Sequence, residues 1–78
     1  MSTMTLDQLS AGAEARLIDI RGERGFRRRL LELGLLPGTT IRLIRRADIG
    51  GVLELEVRGS RLTLRTGEAT TLHVEQAG

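Results

Sequence analysis

Three consecutive arginines, Arg27-Arg28-Arg29, are the densest run of charge in this 78-residue chain. A guanidinium presents a rigid fork of donors that suits phosphates and carboxylates. The triplet could therefore grip a phosphate, an acidic protein surface or nucleic acid. The commoner use of a surface charge run is to keep a helix face solvated, and Glu32 stands four residues beyond Arg28 as an intrahelical partner. Cations in the first turn of a helix oppose its dipole by a few tenths of a kcal/mol each, so local stability does not ask for them. Arg45-Arg46, near the end of an expected strand, could extend the same patch.

His73 and Glu75 lie two apart on an expected strand and so share one face. One imidazole and one carboxylate are too few ligands for a tight metal site, and the chain has no second histidine and no cysteine. They are the weak metal candidates, and an exposed strand histidine is the simpler reading. No catalytic set is apparent. His73 could pair only with Ser2, Ser10 or Ser60, none of which sits in a nucleophile motif. No glycine-rich phosphate loop precedes a helix. The chain reads as a binding protein that is not an enzyme and uses no cofactor.

Composition narrows the partners. All twelve basic residues are arginine, set against ten acidic ones, for a net charge of +2. That excess is small, and Phe26 is the single aromatic residue. A single-strand nucleic-acid binder stacks bases on several aromatics, so nucleic acid is not expected. No apolar run approaches the roughly 20 residues needed to span a bilayer. The N-terminal MSTMTLDQLSAGAEA lacks the basic-then-apolar order of a secretory signal, so a cytoplasmic protein is expected. The length suits one small domain over residues 1–78.

The elements follow from local pattern. Thr5-Leu6-Asp7-Gln8 is a capping box, with Leu6 and Leu9 on one face of a short turn that plugs an apolar opening. Glu14–Ile20 predicts a strand. Leu17, Ile18 and Ile20 cannot all face one way, which calls for a bulge. Phe26–Leu33 predicts a helix, with Phe26, Leu30 and Leu33 as its apolar stripe. Gly34 is placed to end it at positive φ, with Leu35 reaching back to Leu30 in a Schellman motif. Leu36-Pro37-Gly38-Thr39 predicts a type II turn. Thr40–Ala47, Val52–Val57, Arg61–Arg65 and Thr71–Glu75 predict four more strands, with hairpins at Gly50-Gly51 and Gly59-Ser60 and a helical turn over Thr66–Ala69. Five short strands with one inserted helix suit a mostly β, SH3-like barrel, with a five-stranded OB-type barrel as the runner-up.

Leu31 and Leu36 lie off the helix stripe, and Leu35 follows the cap. These three leucines either complete a small core or form an exposed patch rimmed by Arg27, Arg28 and Glu32, and such a patch would mark a protein-binding surface.

Taken in order, Arg29-Leu30-x-x-Leu33-Gly34-Leu35-x-Pro37-Gly38-x-x-Ile41, then Leu62-x-Leu64-Arg65, Glu68-Ala69 and Val74, resemble the FeoA family, small cytosolic proteins of the bacterial ferrous-iron uptake system. The likeness runs from Thr5 to Glu75, nearly the whole chain. It implies an SH3-like barrel and a non-enzymatic accessory role. The implied partner is FeoB, a membrane protein with a cytoplasmic GTP-binding domain that transports Fe(II). The chain would then sit in the cytoplasm, at the inner face of the membrane through that partner. The same fold occurs as the C-terminal domain of DtxR-type metal-dependent repressors. A stand-alone relative of that domain is the alternative reading, and a small nucleic-acid-binding barrel is another. The expected docking face comprises Arg27, Arg28, Leu31, Glu32, Leu35 and Leu36, extended by Arg45 and Arg46. One departure stands out: the family usually has Ala-Pro-Leu-Gly-Asp-Pro where this chain has Ala47-Asp48-Ile49-Gly50-Gly51-Val52.

Overall fold

Apolar residues that alternate along the strands converge on one core. In the computed structural model, residues 3–47 and 50–76 are described. Along the chain they form β1 (Thr3–Thr5), a 3₁₀ turn (Leu6–Gln8), β2 (Glu14–Ile20), α1 (Arg24–Glu32), β3 (Thr40–Arg46), β4 (Val52–Val57), β5 (Ser60–Arg65), α2 (Thr66–Ala69) and β6 (Leu72–Gln76). The strands make one six-stranded sheet in the order β1-β6-β2-β3-β4-β5, antiparallel at every pairing. The architecture is an SH3-like barrel. It has one strand more than the sequence pattern indicates, because β1 is only three residues long and carries no alternation to read. β1 owes its existence to the edge of β6, on which Thr3, Met4 and Thr5 register with Glu75, Val74 and His73.

The bulge expected in β2 is present. The register with β6 runs Leu17↔Val74 and then Asp19↔His73, so Ile18 is the extra residue. It turns outward, 41% exposed, while Leu17 and Ile20 stay buried. A second irregularity skips Ile44 in β3 and keeps both Ile41 and Leu43 in the core. β4 alternates without interruption, burying Leu53, Leu55 and Val57. Its hairpin to β5 turns on Arg58 and Gly59, both at positive φ (52° and 80°), the backbone sign of a type I′ turn. The Gly50-Gly51 connection is antiparallel as expected, but the substituted loop includes Asp48 and Ile49, which lie outside the described residues.

The 3₁₀ turn does plug the barrel. The Thr5 amide donates to Gln8 Oε1 at 3.1 Å, and Leu6 and Leu9 are both fully buried. Each such leucine contributes about 2 kcal/mol through burial, far more than one short turn could supply alone.

Helix α1 ends as its sequence indicates. The Gly34 amide donates to the Leu31 carbonyl at 3.0 Å and the Leu35 amide to the Leu30 carbonyl at 2.9 Å, the paired bonds of a Schellman motif. The type II turn follows, with the Thr39 amide donating to the Leu36 carbonyl at 3.0 Å and Gly38 at φ 93°. The apolar stripe needs one correction. Leu30 is buried and Phe26 half-buried, but Leu33 is 56% exposed. Leu33 is the C-cap, and there the chain reverses. The place that helical periodicity assigns to Leu33 is filled from beyond the cap by Leu35, which is fully buried.

Candidate docking face

The triple arginine does not act as a unit. Arg29 turns toward α2, pairing with Glu68 at 3.3 Å and lying over the Phe26 ring at 5.6 Å. It ties the helix to the barrel. Arg28 makes the expected i,i+4 contact with Glu32 at 3.8 Å, with both side chains more than 70% exposed. Such a pair is worth little in water. Arg27 meets no carboxylate among the described residues, and it lines a groove of about 70 Å³ with Asp19, Ile20, Leu31 and Pro37.

The groove exists because the turn after α1 is fastened to β2. The Gly38 amide donates to the Leu17 carbonyl at 2.7 Å, and the Leu17 amide donates to the Thr39 carbonyl at 2.8 Å. This holds Pro37 beside the bulged segment Ile18-Asp19. Leu31 (43%) and Leu36 (44%) are exposed here as the patch reading requires, and Leu33 and Ile18 are exposed too. These four are the exposed large apolar side chains among the described residues; the others are buried or half-buried. Helical periodicity concealed Leu33, since it counts a residue as inward past the point where the helix stops. Ile18 was within reach of the bulge argument: the residue a bulge ejects is the one that loses its place inside.

Three of the expected contact residues lie elsewhere. Leu35 is in the core, as the Schellman contact dictates, and offers no surface. Arg45 pairs through Nε with Glu54 Oε2 at 2.9 Å on the outside of the barrel, and Arg61 meets the other oxygen at 2.7 Å. The Arg45 bond, then the Arg61 bond, hold the Glu54 carboxyl below the usual carboxylate range. The Arg46 guanidinium donates to the carbonyls of Asp7 and Leu9, fixing the N-terminal plug. Arg45 and Arg46 are thus occupied in holding the barrel and do not extend the helix patch. A sequence cannot show this, because their partners stand far away in the chain.

His73 registers with Thr5 on β1 and with Asp19 on β2. Glu75 is engaged by Arg16 at 3.0 Å. Among the described residues no group of three His, Cys, Asp or Glu side chains is placed to hold a metal ion. No helix among those residues is long and apolar enough to cross a membrane.

Fold and surface together define a small SH3-like barrel that presents an apolar, arginine-rimmed helix and turn. The sequence profile of the FeoA domain matches residues 4–76, and the chain belongs to that family. It is similar to the solved FeoA protein of Chlorobium tepidum, 35% identical, covering 96% of this chain and 71% of that one with a TM-score of 0.91. It is 29% identical over 72 residues to a Fe(2+) transport protein A/Fe(2+) transporter FeoB fusion protein of Porphyromonas gingivalis. That match takes in 92% of this chain and 8% of the much longer relative. A manganese-dependent transcriptional repressor shares the fold at a TM-score of 0.87 with 14% identity, over 96% of this chain and 42% of that one.

Proposed function

We propose that this chain is a cytoplasmic accessory protein of ferrous-iron uptake. It acts by binding a FeoB-like membrane transporter with a GTP-binding domain, not by chemistry of its own. The observation that carries this reading is the relative in which a transport protein A unit and a FeoB transporter form a single polypeptide. Units joined covalently in one organism commonly work in contact in others. The docking face we assign is the outward side of α1 and its exit turn: Arg27, Arg28, Leu31, Glu32 and Leu36, supported from beneath by Leu35. Exposed leucines rimmed by charge are what a protein interface uses at its centre and edge.

The test is Leu31→Asp combined with Leu36→Asp. Both side chains are more than 40% exposed, so circular dichroism should show an intact barrel. Co-purification with the detergent-solubilised FeoB-like transporter of the same organism should be abolished. Retained binding would overturn this placement of the face.

A further inference from the structure

The net charge of the molecule is not spread over its surface. Residues 19–37 hold five arginines and three carboxylates, while the remainder of the chain holds seven of each. The whole excess of +2 therefore belongs to α1 and its flanks. Within that segment Arg21 pairs with Asp19 at 3.1 Å, Arg29 with Glu68, and Arg28 loosely with Glu32. Arg24 and Arg27 meet no carboxylate within salt-bridge distance among the described residues. The Glu23 carboxylate next to them, at the N-cap, makes no side-chain capping bond and pairs with neither arginine.

Arg24, Arg27, Arg28 and Leu31 stand at i, i+3, i+4 and i+7, a single helix face. It looks away from Leu30, the one buried residue of α1. The first turn has no acidic residue, although the dipole favours an anion there and disfavours a cation. Folding gains nothing from this arrangement, and an incoming anionic group would relieve it. The adjoining groove, about 70 Å³ between Leu31, Ile20 and Pro37, has room for one small aliphatic side chain.

From the unpaired charge and the groove together we infer that the face takes an acidic peptide segment of its protein partner. The carboxylates of that segment meet Arg24, Arg27 and Arg28 while one aliphatic side chain enters the groove. This rests on the docking face proposed above and names the chemistry it recognises. A concave, side-chain-sized groove with the Asp19 carboxylate at its wall suits a peptide better than a planar anionic lipid surface.

Two measurements on the full chain test it. The first is an NMR titration with a capped Glu-Glu-Leu-Glu-Glu peptide and its lysine counterpart. Amide shifts should cluster on Arg24, Arg27, Ile20 and Leu31 with the acidic peptide only. Equal response to both peptides, or shifts centred elsewhere, would overturn the inference. The second measures affinity for the solubilised FeoB-like transporter. Arg24→Glu with Arg27→Glu should weaken it roughly tenfold or more, and added salt should weaken the wild type. If Leu31→Asp abolishes binding while the charge reversal and salt leave it unchanged, the docking face stands and the acidic partner is wrong. If neither set of substitutions matters, both fall. Binding of the wild type to phosphatidylglycerol vesicles that the charge reversal removes, with transporter affinity untouched, would assign these arginines to lipid and overturn the inference.

Discussion

The barrel wall and helix α1 use the same residue types in opposite ways. On the wall, leucines point in and three arginines are paired across strands: Arg16 with Glu75, and Arg45 and Arg61 with the one carboxylate of Glu54. On α1 a single leucine is buried, Leu31 is left in solvent, and Arg24 and Arg27 have no carboxylate partner among the described residues. Packing and pairing explain most of the wall, although Arg42, Arg58 and Arg65 also meet no carboxylate within salt-bridge distance among the described residues. Only on α1, among those residues, does unpaired arginine stand with an exposed leucine on one groove, and that coincidence is the guide to where this protein makes contact.

The largest expected effect comes from exchanging the two kinds of leucine. Leu17→Ala should cost about 2–5 kcal/mol, because it empties a fully buried site. Leu31→Ala should cost less than about 0.5 kcal/mol, as exposed positions do. Chemical denaturation reads both, and comparable losses would break the distinction between wall and helix. A smaller effect is expected at the joint between the regions. Gly34→Ala should destabilise by about 1–2 kcal/mol, the cost of left-handed backbone for a residue with a Cβ. Gly34 sits at φ 96° with nothing within 4 Å of an added Cβ, so the loss reports backbone conformation alone. A thermal midpoint unmoved by this change would show that the helix cap can be remade.

The smallest effect concerns charge on the wall. The folded-state pKa of Glu54 is depressed, by the Arg45 bond first and the Arg61 bond second. Its contribution to stability is therefore present above the unfolded-state pKa and is lost as pH falls through the folded one. Side-chain NMR should find the Glu54 midpoint below the ordinary glutamate range, moving back up in Arg45→Ala. Glu54→Gln should flatten the acid limb of stability slightly. An unmoved midpoint would mean that the wall pairs are as loose as Arg28 and Glu32.

The sequence shows the wall more plainly than the helix. Alternation in Val52–Val57 and the three crowded apolar residues of β2 determine strand, facing and bulge locally, since a strand has only two faces. The termination of α1 was equally legible, because Gly34, Leu35, Pro37 and Gly38 each answer a backbone requirement. β1 was not, since three residues without alternation pair only because β6 offers an edge. Leu33 misled because periodicity has no knowledge of a cap. Of the candidate site, Arg27 and Arg28 lie on the surface, and so do Leu31 and Leu36, for which the sequence left core and patch both open. Arg24 could have been found by extending the i, i+3, i+4, i+7 spacing two turns back from Leu31. The occupations of Arg45 and Arg46 depend on contacts across the fold, and no local pattern records them.

The two carbonyls held by Arg46 belong to the short turn that carries Leu6 and Leu9 into the core. A turn of three residues has little cooperativity of its own, so this piece can come away while the strand ladders of β2 to β5 remain closed. Such a piece would be a small hatch, held by the burial of Leu6 and Leu9 and latched by one guanidinium. Its opening would bare two leucines and the interior behind them at a free energy below that of global unfolding. Hydrogen exchange at the Leu9 amide, faster than that of the strand interiors and faster still in Arg46→Ala, would be the mark of that latch.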